Sequence, residues 1–263
     1  MDKESTKKVL DESAKMLPFF SLDKTPPKNA TPMYQMISKL LDKSDLYYEV
    51  KQKSIQKAKE FIPKCKNAIK NSQNPFLTST KIAVAGNVID LASEFEFDLE
   101  SELEKVLRTD FAIDDSNMLF KKLKNSKIVV YLADNAGENV FDELYIQTLK
   151  SLFEDIDVYY FVRSAPIIND ITYDELKDGS INDIATLIDS GVETPGIIIE
   201  DLNQDAKLLF EQADCIISKG MGNFECLSEN LEYPIYYLLK VKCTVVANEL
   251  KMSVGDIICK SAQ

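Results

Sequence analysis

The chain has 263 residues, 45% hydrophobic and 28% charged, with a formal net charge of −12 from 31 basic and 43 acidic side chains. At about 150 residues per domain, that is one large domain or two small ones with material for a proper core. The acidic balance speaks against nucleic acid as the main partner, because phosphate neutralisation needs clustered Lys and Arg, but it leaves room for a small phosphorylated ligand at a local positive site.

There is no histidine, so Ser-His-Asp, Cys-His and His-ligated metal mechanisms are all excluded. Acid–base or metal chemistry must use Asp, Glu, Asn, Lys, Arg or Tyr. No apolar run reaches the roughly 18 residues of a membrane span, and no membrane partner is expected. Residues Met1 to Lys8 are charged and lead into no apolar signal core, which argues against secretion. The five cysteines, Cys65, Cys215, Cys226, Cys243 and Cys259, form no C-x-x-C pair. Scattered among apolar neighbours, they read as reduced thiols in a cytoplasm.

In chain order, the first half is helical. Residues 33–43 and 47–71 carry apolar side chains at helical spacing (Val50, Ile55, Ala58, Ile62, Cys65, Ile69), with Pro63 expected to kink or divide the second segment. Residues 76–91 fit a helix or a buried strand. Residues 94–104 hold six acids and no base and read as a solvated face. From about residue 125 the pattern changes. Apolar β-rich runs at 128–133, 157–162, 196–199, 215–218 and 235–239 alternate with helical patterns at 140–152, 181–190, 204–212 and 224–230. That alternation predicts a doubly wound α/β fold: a mostly parallel sheet covered on both faces. We expect a helical subdomain over 1–124 and an α/β core over 125–263, together one compact unit.

In open parallel sheets, ligands bind beyond the carboxyl ends of the strands, and three polar motifs stand there. The first is Asp134-Asn-Ala-Gly-Glu138. Its carboxylate and amide oxygens suit a hard divalent cation, but a turn that caps the next helix fits equally well. The second is Arg163-Ser-Ala-Pro166 followed by Asn169-Asp170. Arg163 suits bidentate binding of an anion; Asp170 suits a metal or the cap of a helix near Thr172. The third is Ser218-Lys-Gly-Met-Gly-Asn223. Here Gly220 and Gly222 let backbone N–H groups approach an anion, Lys219 adds a charge, and a helix opening near Phe224 adds its N-terminus; a plain Gly-rich connector is the alternative. A metal site on Asp134, Asn135 and Asp170 facing an anion cradle at Lys219 is the equipment of phosphoryl transfer to water. Glu138 is a candidate general acid or base and could equally cap the next helix.

These motifs, with Ala85-Gly-Asn-Val-Ile-Asp90, Leu239-Lys-Val-Lys-Cys243 and the early Tyr47-Tyr48 and Lys51, resemble the damage-control phosphatase family, first catalogued as domain of unknown function eighty-nine. The resemblance covers most of the chain. It implies a metal-dependent phosphatase of small phosphorylated metabolites, using Mn²⁺, Ni²⁺, Co²⁺ or Mg²⁺. It places the metal ligands on Asp134, Asn135 and Asp170 and the phosphate-binding lysine on Lys219, and it tilts Asn87 towards the site. Asn169, Gly220 and Arg163 join the expected phosphate-binding set. Two departures stand out. The Cys-x-x-Cys segment with which archaeal and bacterial relatives often begin is not seen near Met1, and the Lys-Gly motif has a different tail from the sugar-phosphate branch. The alternatives are an S-adenosylmethionine-dependent carboxyl methyltransferase, against which the lack of a glycine-rich nucleotide loop counts, and a non-catalytic binder of a phosphorylated metabolite.

Overall fold

The protein is described from a computed structural model, in which residues 2–86 and 99–263 are described. The first half is helical as expected: α1 (Lys3–Met16), α2 (Pro26–Leu41), α3 (Tyr48–Lys70), α4 (Pro75–Gly86) and α5 (Leu99–Arg108). Pro26 and Pro27 open α2, where a proline costs no hydrogen bond. Pro63 does not divide α3, which runs through it for 23 residues. The 76–91 segment is helical as far as Gly86; the rest of it, with Asn87 and Asp90, lies outside the described residues.

The remaining elements are β1 (Ile113–Asp114), α6 (Ser116–Lys124), β2 (Ile128–Leu132), α7 (Glu138–Leu152), β3 (Asp157–Val162), α8 (Tyr173–Leu176), β4 (Thr186–Asp189), α9 (Gln204–Gln212), β5 (Cys215–Lys219), α10 (Gly220–Leu227), β6 (Ile235–Lys240), α11 (Thr244–Leu250) and β7 (Ile257–Ser261). The described residues form a seven-stranded sheet in the order β1-β7-β6-β5-β2-β3-β4. All its pairings are parallel except β6 with β7.

Two expectations fail locally. Residues 181–190, read as helix, form a short 3₁₀ turn (Ser180–Asp183) and then β4, which extends the sheet beside β3. Residues 196–199, read as a strand, are unladdered and lead into a 3₁₀ turn at Ile199–Asp201. The isoleucines of that run are buried all the same. Ile197 and Ile199 pack into the core against the sheet without pairing, and apolar run length cannot distinguish those two uses.

Side chains of the central strands alternate between two cores, as a doubly wound sheet requires. Val129, Tyr131, Val158, Tyr160 and Ile217 join α3, α4 and α7 in one cluster. Val130, Leu132, Phe161 and Ile216 join α9, α10 and α11 in the other. The first cluster ties the N-terminal helices to the sheet: α4 and α3 both pack on α7.

Candidate active site

From β2 the chain passes to β3 and β4 on one side, then returns to β5 on the other side of β2. The crevice beyond β2 and β5 is thus the place where successive connections diverge, which is where open α/β sheets bind ligands. Asp134 follows β2, Arg163 follows β3 and Lys219 ends β5, so the fold brings the three motifs together.

The Asp134–Glu138 turn is shaped by close approach. Gly137 takes φ +96°, and a Cβ there would lie 3.0 Å from Ser54 Cβ on α3. α7 begins at Glu138 with Gly137 at its N-cap and no side-chain cap bond, so Asp134 and Asn135 do not cap the helix. Asp170 is no cap either: Thr172 and Glu175 form a capping box on α8. Its strand-like bridge with Asn135, and the backbone bonds Ile171 N to Asp134 O and Ala136 N to Asn169 O, hold the two loops side by side. α10 opens at Gly220, earlier than expected, with Lys219 at its N-cap. Gly220 takes φ +76°, and a Cβ there would overlap the Asp134 carboxylate, so this glycine lets the two strand ends meet.

The side chains form one network. Asn135 Nδ2 donates to Asp134 Oδ2 and to Glu138 Oε1, both at 3.0 Å. With its NH₂ held by two carboxylates, the amide leaves Oδ1 as the atom to offer a cation. Lys219 Nζ, fully buried, donates to Glu138 Oε2 at 3.0 Å and to Asp142 Oδ1 at 2.8 Å. Arg163 Nε donates to Asp170 Oδ2 at 2.9 Å and one terminal nitrogen donates to Asn223 Oδ1 at 3.1 Å. The other terminal nitrogen, buried, has no protein partner, and a phosphoryl oxygen would satisfy it. Asn169 lies half-buried at the same loop.

Negative charge is crowded here. Burial first, then Glu138 and Asp170, push the Asp134 carboxyl well above its usual range. Burial also pushes Asp170 up to about 6, against the Arg163 guanidinium, which pulls it down. A divalent cation would relieve this crowding. Among the described residues no group of three or more His, Cys, Asp or Glu forms a cation cage. Two carboxylates and an amide, completed by water and substrate oxygens, nonetheless match how a Mg²⁺-like ion is bound. The donor set fits the ion.

All of Asp134, Asn135, Glu138, Arg163, Asn169, Asp170, Lys219 and Gly220 therefore lie at one crevice; Asn87 is outside the described residues. Two buried residues were not foreseen. Asn223 accepts from Arg163 and from Ile197 N, and donates to Ala133 O and Lys219 O, tying the ends of β2, β3 and β5 to each other. Asp142 anchors Lys219. Its signal was available: Glu138 and Asp142 are four apart on a buried helix face, where like charges repel unless a cation lies between them.

A family model described as the damage-control phosphatase ARMT1-like domain matches residues 1–258. A damage-control phosphatase of Pyrococcus horikoshii is 36% identical over 222 residues, which is 84% of this chain and 76% of that protein. One from Archaeoglobus fulgidus is 32% identical over 265 residues, 98% of this chain and 91% of that protein. The crystal structure of a DUF89 family protein from P. horikoshii matches with a TM-score of 0.90 at 31% identity, covering 100% of this chain and 92% of that one.

Proposed function

This chain belongs to the damage-control phosphatase ARMT1-like family, and from that premise we propose that it is a divalent-metal-dependent phosphomonoesterase of small phosphorylated metabolites. The phosphatase role rests on the family. The metal dependence and the monoester substrate rest on one observation: beyond the β2–β5 strand ends, two buried carboxylates and an oriented amide stand beside a buried lysine and an incompletely satisfied arginine, linked to them by hydrogen bonds.

In this reading Asp134, Asn135 and Asp170 hold Mn²⁺, Co²⁺, Ni²⁺ or Mg²⁺. When bound, the ion polarises the phosphoryl group and neutralises charge as it develops. Arg163 is fixed by Asp170 and Asn223, and presents its remaining N–H groups to the phosphoryl oxygens. Lys219 keeps a third N–H beyond those given to Glu138 and Asp142, and directs its charge at the same group. The first N–H groups of α10, which opens at Gly220, complete the cradle, while Gly222 makes room for the Pro195 carbonyl and not for a ligand; Asn169 borders it. Glu138 stands between Asn135 and Lys219 as the acid–base group of a chain without histidine. The five cysteines, all free thiols, suit a reducing cytoplasm, where we place the enzyme. No helix among the described residues is long and apolar enough to cross a membrane, and we assign no membrane or nucleic-acid partner.

The test is hydrolysis of p-nitrophenyl phosphate by chelator-stripped protein, before and after each of the four metals is added. Turnover should appear only with metal. Equal turnover without metal would remove the cation from the mechanism, and none under any condition would remove the phosphatase.

A further inference from the structure

Lys219 is held from behind by a buried apparatus with no exposure to the crevice. Asp142 Oδ1 accepts from Lys219 Nζ at 2.8 Å and from the Tyr131 hydroxyl at 2.6 Å, while Oδ2 accepts from the Tyr160 hydroxyl at 2.8 Å. Asp142, Lys219, Tyr131 and Tyr160 are all fully buried. The tyrosines are directly opposite one another on β2 and β3 and stack with ring centroids 5.4 Å apart. The chain of contacts then continues from Lys219 through Glu138 to Asn135 and Asp134.

A buried ion pair is a poor way to stabilise a fold; well-packed apolar side chains of similar volume often do as well or better. Such a pair also needs partners for its remaining lone pairs, and the two hydroxyls supply one to each oxygen of Asp142. They hold both carboxylate oxygens, so that turning away from the lysine would break two further buried hydrogen bonds. Lys219 is a flexible four-carbon chain ending in a point charge, and a charge stabilises a transition state only if it already stands where charge develops.

We propose that Asp142, with Tyr131 and Tyr160, is a positioning triad that fixes the Lys219 ammonium for phosphoryl transfer. None of the three touches substrate. They act through Lys219, and their removal lowers turnover while leaving substrate binding almost unchanged. The activity readout rests on the phosphatase reading above.

Tyr131→Phe and Tyr160→Phe each delete one hydroxyl and keep the ring. Tyr145→Phe is the control: Tyr145 is equally buried and lies against Tyr131, but its hydroxyl bonds to Thr80. The double Tyr131→Phe/Tyr160→Phe variant should melt close to wild type and keep its KM for p-nitrophenyl phosphate, with kcat about tenfold lower. Asp142→Asn should lose more, and Tyr145→Phe nothing. A folded double variant with wild-type kcat overturns the triad. So does a loss confined to KM, or an equal loss in Tyr145→Phe. Should the wild type turn over no phosphomonoester, the phosphatase reading alone fails, and binding of orthovanadate with Mg²⁺ by calorimetry decides the triad. Weaker binding by the double variant than by the wild type and Tyr145→Phe supports it; equal binding, or none by the wild type, overturns it.

Discussion

Gly220 has no room for a side chain: its positive φ and the Asp134 carboxylate both exclude a Cβ. Gly220→Ala should displace Asp134 and lower kcat/KM by about a hundredfold or more, as a misplaced group does, with reduced metal content by elemental analysis; wild-type kinetics would show that the crevice tolerates the methyl. Asp170 sets a pH window. Its carboxyl lies at about 6 in the fold against 3.8 unperturbed, so the folded chain holds the proton more tightly than the unfolded chain. In the metal-free protein this contribution to stability is complete at low pH and lost as pH rises through about 6. A cation competes for the same oxygens, so metal affinity by calorimetry should rise steeply across that interval, and equal affinity at either end would exclude Asp170 as a ligand. Lys219 is not a clean probe of catalysis. Removing it leaves Glu138 and Asp142 buried without their cation, and Lys219→Ala should cost about 3 kcal/mol of stability as well as turnover. From the sequence Lys219 reads as a phosphate contact; its two carboxylate partners lie 81 and 77 residues away, beyond the reach of any local pattern.

Elements from the first half reach the site through Lys51. This lysine of α3 is fully buried and pairs with Asp45 Oδ2 at 2.6 Å and Glu175 Oε2 at 2.9 Å. The same Glu175 oxygen accepts from Thr172 N and Oγ1, two residues after Asp170. A single ammonium thus clamps the α2–α3 connection and the start of α8 to one another. Lys51→Met should lower unfolding free energy by about 3 kcal/mol in urea titrations, because it strands two largely buried carboxylates. Lys7→Met, which breaks the exposed pair with Asp11, should have an effect within about 0.5 kcal/mol. Similar losses in both would mean that the clamp is well solvated. Periodicity found α3 and α9 well, because one buried face at 3.6-residue spacing is a local property. It misread 181–190, where Thr186–Asp189 is a strand only because β3 offers an open edge.

The whole molecule carries a charge of −12, so it would repel the phosphorylated substrate proposed for the crevice. Added KCl screens that repulsion, and kcat/KM for p-nitrophenyl phosphate should rise between low and physiological ionic strength. A fall would mean that the local field of Arg163 and Lys219 dominates. By itself the sequence determined the fold class and the identity of the three strand-end motifs. Alternating apolar runs and Gly-bearing turns are encoded over five to fifteen residues, and the rule that ligands lie beyond parallel strand ends did the rest. Only the tertiary structure decided which strands are neighbours, that β7 lies between β1 and β6 and antiparallel to β6, that Asp134 and Asn135 are freed from capping, and that Asp142 and Asn223 support the site. The support from Asp142 and Asn223 rests on hydrogen bonds between residues sixty or more positions apart. Such contacts exist only after the sheet has assembled, and their energies depend on a burial that no single segment possesses.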